Sequence, residues 1–148
     1  MSHMKHIQLE IKDLEALAKA GKELGLQFNL NQKNYKWFGK FMGDSPLPPG
    51  LTVQELGHCD HALSVVNNKK AYEVGIIRSK TGEGYQLLYD FWAGGKGLEK
   101  VIGEGAQRLT QEYAAQVTMK EYFRQGKRVT RETLENGSIR LVVTGGRK

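Results

Sequence analysis

Three apolar runs, HALSVV (61–66), AYEVGIIRS (71–79) and GYQLLYDFW (84–92), follow one another with only NNKK and KTGEG between them. Links this short cannot return a chain to the start of a parallel neighbour, which takes a crossover of a dozen or more residues. The Asn, Lys and Gly in both links are turn chemistry. The middle of the chain is therefore an antiparallel meander, and everything else must pack on it. Its last run is apolar on both sides, with Tyr85, Leu87, Tyr89 and Phe91 on one face and Leu88 and Trp92 on the other. Such a strand belongs in the buried centre of a sheet.

Upstream, Ile7, Leu9 and Ile11 alternate with His6, Gln8, Glu10 and Lys12, a half-buried strand. Asp13 is placed to cap a helix over about residues 13–25, with Leu14, Leu17, Gly21 and Leu24 inward and Gly25 as its stop. Leu26, Phe28 and Leu30 begin a second strand that is expected to continue through Tyr35 and Trp37. All three prolines then fall in GDSPLPPG, marking one irregular loop near 42–57. Its flanks are strand-like, so it is an insertion within one domain spanning 1–148. Beyond the Gly-rich AGGKG, the residues Leu98, Ile102, Ala106, Leu109, Tyr113, Val117 and Tyr122 trace a helical stripe ending near Gly126. Gly103 and Gly105 divide it into a short piece and a main helix near 104–125.

The end of the chain carries a hairpin signal. KRVTRETL and SIRLVV flank Glu135-Asn136-Gly137, and Asn-Gly favours a two-residue loop. That register pairs 128–134 with 138–144, sets Leu134 opposite Ile139, and puts Lys127, Arg131 and Arg140 on the outer face. Exchanging Arg131 and Arg140 for Gln should then leave stability unchanged or slightly higher. The element order predicts an α+β fold, a ferredoxin-like antiparallel sheet with two main helices packed on one face.

Several short stretches carry a resemblance in series. They are Met1-Ser2-His3, the hairpins of 60–92 ending in Tyr89-Asp90-Phe91-Trp92, Leu109-Thr110-Gln111-Glu112-Tyr113-Ala114, and Glu135-Asn136-Gly137-Ser138-Ile139-Arg140-Leu141-Val142-Val143. Together they resemble a family of small uncharacterised proteins from red-algal plastids, cyanobacteria, other bacteria and some large phages. The resemblance implies a compact α+β protein and carries over no activity, cofactor or site residue.

The chemistry motifs are sparse. Gly95-Lys96 lacks both the leading Gly and the trailing hydroxyl residue of a phosphate loop, and Gly103-x-Gly105 meets Arg108 where a dinucleotide fingerprint needs Gly. His58, Cys59, Asp60 and His61 offer four metal-ligand types in a row, with His3 and His6 as the other imidazoles. On an extended segment alternate residues point apart, so no metal site is expected from them. The same parity separates Cys59 from an activating His, and leaves Asp60 and Asp90 as the one carboxylate pair whose strands could bring it together. No cofactor is called for. A lone cysteine, no apolar run of membrane-spanning length and a charged N-terminus predict a cytoplasmic protein with no membrane partner.

Charge is the remaining lead. The chain carries +6, and residues 120–148 hold eight Lys or Arg against three Glu, so nearly all the excess sits at the C-terminal end. Lys127, Arg131, Arg140, Arg147 and Lys148 form the expected contact patch, with Lys36, Trp37 and Lys40 as a second basic and aromatic cluster. A reader of single-stranded nucleic acid places aromatics on its basic face, and this hairpin has none. The expectation is therefore a non-enzymatic accessory or adaptor protein that binds a protein partner. A nucleic-acid-binding module on the same patch is the alternative, and a small-molecule enzyme comes third.

Overall fold

The computed structural model describes residues 3–41, 43, 47–48, 50–80 and 82–145. Strand β1 (Met4–Ile11) leads into helix α1 (Leu14–Leu24) and strand β2 (Leu26–Asn29). The meander follows as β3 (His61–Val65), β4 (Val74–Arg78) and β5 (Tyr85–Asp90). Helices α2 (Leu98–Ile102) and α3 (Gln107–Arg124) then precede a hairpin of β6 (Arg128–Thr133) and β7 (Ile139–Thr144). Local chemistry sets the α1 ends as its sequence implies. Asp13 Oδ1 accepts from the backbone N–H of Ala16 at 3.0 Å, and Gly25 closes the helix in the left-handed region at φ 88°.

β1 to β5 form one open antiparallel sheet in the order β1-β5-β4-β3-β2. The doubly apolar β5 lies inside it, between β1 and β4, and the helices cover one face in a ferredoxin-like α+β arrangement. On that face Ile7, Ile11, Leu63, Val74, Ile76, Leu87 and Tyr89 pack against Ala16, Leu17 and Ala20 of α1, Leu98 and Ile102 of α2, and Leu109 and Tyr113 of α3. The stripe proposed for the last helix stops at Tyr113. Val117 is exposed; past Tyr113 the buried residues of α3 are Ala115 and Gln116, and Gln116 lies with Glu112 under the hairpin.

The other sheet face is covered by irregular chain. Tyr35, Leu51, Leu56 and Cys59 are buried against Met4, Ala62 and Leu88, with Trp37 and Phe41 beside them. The second strand accordingly ends at Asn29 instead of running on to Trp37, since Tyr35, Trp37 and Phe41 turn to lie over the sheet face. The packing there is close. A Cβ on Gly75 would sit 2.5 Å from the Tyr35 ring, and one on Gly57, already at φ 86°, would sit 2.4 Å from Trp37 Nε1. Gly75→Ala is expected to cost about 2 kcal/mol through overpacking, read as a lower urea midpoint with an unchanged slope.

The C-terminal hairpin is a separate two-stranded sheet laid on α3, with no strand of the main sheet beside it. Its register differs by one residue from the sequence expectation: Thr133 faces Ile139, Glu132 faces Arg140 and Arg131 faces Leu141. The loop explains the shift. Leu134 N–H donates to the Ser138 carbonyl and Gly137 N–H to the Leu134 carbonyl, with Gly137 at φ 86° and Asn136 outside the positive-φ region. This is a three-residue loop with glycine in the left-handed position, not the two-residue loop that needs positive φ at both central residues. A one-residue slip of β6 against β7 moves every β6 side chain to the opposite face. Arg131 therefore points at α3, while Arg140 stays on the outer face as expected.

Candidate interaction surface

Arg131 meets Glu112, which lies on the α3 face under the hairpin and is only 4% exposed. The guanidinium Nη2 donates to Glu112 Oε1 at 2.8 Å and Nη1 donates to Oε2, while Gln116 Nε2 donates to Oε2 at 3.3 Å. The carboxylate beside it raises the Arg131 pKa further above its ordinary value. This bidentate pair, with Gln111 Nε2 donating to the Gly137 carbonyl at 2.9 Å, ties the hairpin to α3. Sequence alone gives no signal for Glu112, since a buried glutamate looks like any other on a helix.

The remaining cations of the patch are largely committed. Arg140 pairs with Glu132 at 2.5 Å, Arg124 with Glu121 at 2.6 Å, and the Lys127 ammonium lies 5.4 Å from the Tyr122 ring. Arg124 donates to Glu121 and lowers the pKa of that carboxylate. Arg128 is exposed on the outer face. Arg147 and Lys148 lie outside the described residues. Among the described residues of the segment, four of the six Lys and Arg thus sit in ion pairs.

Apolar area is left open instead. No residue of β6 or β7 is buried; Val129, Ile139 and Leu141 face α3 half-covered, and Leu134 and Val143 remain 39% and 38% exposed. A two-stranded sheet gains independent stability only by packing on something else, and α3 covers one face of this one. No other strand pairs with its edges among the described residues.

Lys36, Trp37 and Lys40 do not form a stacking platform. The Trp37 indole packs on Gly57, Lys36 Nζ donates to the Lys69 carbonyl, and Lys40 is exposed. The four candidate metal ligands are also divided. His58 is exposed, and the Cys59 thiol donates to the Gln32 carbonyl at 3.1 Å. Asp60 Oδ2 accepts from Arg78 N–H at 2.8 Å, and His61 Nδ1 accepts from Asn31 N–H at 2.9 Å. Among the described residues no three His, Cys, Asp or Glu side chains are grouped to hold a metal ion. Burial pushes the Cys59 thiol up to about 11, so it is protonated at neutral pH and not a ready nucleophile.

His61 is also buried, and burial lowers its pKa below the ordinary value. The unfolded chain then binds the proton more readily than the folded one. This contribution to stability is present above about pH 6.5 and fades as pH falls below it. Protonating Nδ1 would also remove the acceptor for Asn31 N–H. Urea midpoints measured from pH 7.5 to 5 should fall more steeply in the parent than in His61→Gln.

Asp60 and Asp90 do not converge. Asp60 N–H donates to the Ile76 carbonyl, whereas Gly75 stands opposite Leu88, which puts Asp90 level with Glu73 at the other end of β4. Asp90 is fully buried and its carboxylate is already used: Oδ1 accepts from the N–H groups of His3 (2.9 Å) and Trp92 (3.0 Å), and Oδ2 from Phe38 (3.0 Å). A second polar cluster was not legible in sequence. Tyr89 donates its hydroxyl to Glu99, which also accepts from Gly105 N–H at 3.2 Å, beside an open cleft of about 420 Å3 that includes Lys5 and Gln107. Burial, together with Glu99, raises the Tyr89 pKa and keeps its hydroxyl protonated. The chain reaches this cluster through Ala93, Gly94, Gly95 and Lys96, all in the left-handed region.

A family model described as "Protein of unknown function (DUF1257)" matches residues 53–142, from the turn before β3 into β7. The chain is also similar to "Uncharacterized protein ycf35" of Cyanophora paradoxa, 28% identical over 147 residues, covering 97% of this chain and 96% of that one. No solved structure matches. No helix among the described residues is long and apolar enough to cross a membrane.

Proposed function

This chain belongs to the DUF1257 family, described as proteins of unknown function, and from that premise we propose a non-enzymatic accessory protein that docks a protein partner on its C-terminal hairpin. The observation that carries the proposal is the β6–β7 sheet itself: paired on α3, with no buried residue, and with Leu134 and Val143 open to solvent. Exposed apolar side chains rimmed by ion pairs suit a protein surface better than a polyanion. Affinity for nucleic acid grows with the number of phosphates neutralised, and three of the arginines here already face carboxylates. The carboxylate and thiol considered for catalysis, Asp90 and Cys59, are engaged with backbone groups, which supports a binding role over a chemical one.

A photo-crosslinking amino acid placed at Val143, and at Gln27 on the far edge strand as control, tests this in cells that carry the native gene. The expected result is a discrete protein adduct from position 143 and none from 27. Equal or absent adducts would remove the docking role. Retention of single-stranded RNA that weakens steeply between low and moderate salt would favour the nucleic-acid reading instead.

A further inference from the structure

The hairpin offers an edge that the rest of the fold does not. The outer strand β1 is blunted by a break in register between Ile7 and Ile11, and the opposite edge, β2, has four residues. Bulges and shortness are the usual protections of an edge. β6 has neither: six residues in unbroken register with β7, and no strand on its other side among the described residues.

Its charge order is also self-complementary. Arg128, Thr130 and Glu132 share the outer face, since all three alternate with the α3-facing Val129 and Arg131. Two copies of β6 run antiparallel about a two-fold axis at Thr130 would set Arg128 of each opposite Glu132 of the other, with Thr130 opposite itself. Directly opposed residues on one face have Cβ atoms about 5 Å apart, close enough for each cross-strand ion pair. Arg128 is exposed with no acid paired to it in its own hairpin, and Glu132 holds Arg140 from the β7 side, leaving its β6-edge side open. The same pairing on β7 gains nothing, because Arg140 is its one charge and no acid lies in that strand.

We infer that the β6 edge is a self-association surface: two copies join antiparallel through β6, centred on Thr130, into a four-stranded sheet β7-β6-β6-β7. This rests on the hairpin being a docking surface and names a second copy as an occupant. Two six-residue edges are a small contact compared with standard interfaces, so the dimer is weak and concentration-dependent.

Light scattering after size exclusion should show the mass rising from monomer toward dimer between roughly 10 μM and 500 μM. Arg128→Glu should weaken the association about tenfold by opposing like charges twice. Combining Arg128→Glu with Glu132→Arg and Arg140→Glu restores the cross-copy pairs and keeps the pair within each hairpin, and should restore the dimer. Thr130→Cys should link to itself through a short bismaleimide, while Val142→Cys on β7 should not; the native Cys59 is buried and serves as background in both. A monomer throughout the range, no rescue by the triple exchange, or equal linking at both positions would overturn the inference. The adducts at Val143 test docking of other proteins separately, so failure of the self-association is distinguishable from failure of the docking reading.

Discussion

Asp90→Ala is expected to be the most damaging single substitution in the chain, lowering stability by about 4 kcal/mol or preventing folding altogether. The carboxylate is fully buried and accepts three backbone N–H groups, from His3, Phe38 and Trp92. Those donors come from three places: the start of the chain, the irregular segment over the sheet, and the turn after β5. Removing the acceptor strands all three at about 1–3 kcal/mol each, less whatever water can recover. Asp90→Asn keeps one acceptor oxygen and presents an amide to at least one donor, so it should recover only part of the loss. Thermal unfolding followed by circular dichroism measures both. If Asp90→Ala melts within a degree or two of the parent, the carboxylate does not hold these segments together.

Arg131 should show the second large effect, and the sign of its partner's contribution is informative. Arg131→Met leaves Glu112 charged beneath the hairpin without its bidentate partner, with an expected cost of about 3 kcal/mol. Glu112→Gln should cost less, because the Arg131 side chain is 25% exposed and can reach water where Glu112 cannot. Arg131→Met combined with Glu112→Leu should recover most of the loss, since a buried ion pair can be replaced by apolar contact without penalty. Arg140→Gln, which breaks only the exposed pair with Glu132, should change stability by less than about 1 kcal/mol. The double-mutant cycle on residues 112 and 131 is the decisive measurement. Additive losses would mean that the two side chains do not act as a pair.

Arg131, and not Arg140, shows where sequence reasoning lost its hold. The hairpin, its strands and its turn residues are all written locally in KRVTRETLENGSIRLVV. The register is not. Asn136-Gly137 is compatible with a two-residue loop or with a three-residue loop having Gly137 left-handed, and only packing against α3 chooses between them. The three-residue loop puts Val129, Ile139 and Leu141 toward α3 and gives Glu112 its cation. One residue of slip thus turns an expected solvent-facing arginine into a structural one, and takes Arg131 out of the expected contact patch.

The sequence by itself determined what depends on near neighbours. Alternation and short links specified the antiparallel meander, the doubly apolar run placed β5 inside the sheet, and Asp13 and Gly25 bounded α1. The series of short matches pointed to the family to which the chain belongs. Tertiary structure alone decided what depends on residues far apart in the chain. The Pro-containing segment reads as a loop, yet Leu51 and Leu56 within it, and Tyr35 before it, are buried against the second sheet face. Asp90 gathers N–H groups from as far as residue 3, and Glu112 finds Arg131 nineteen positions away. Periodicity reports which face of an element is apolar, but it carries no information about which polar groups will be enclosed together. That follows from where the elements stop and what is left to cover them, and the sites of this protein lie there.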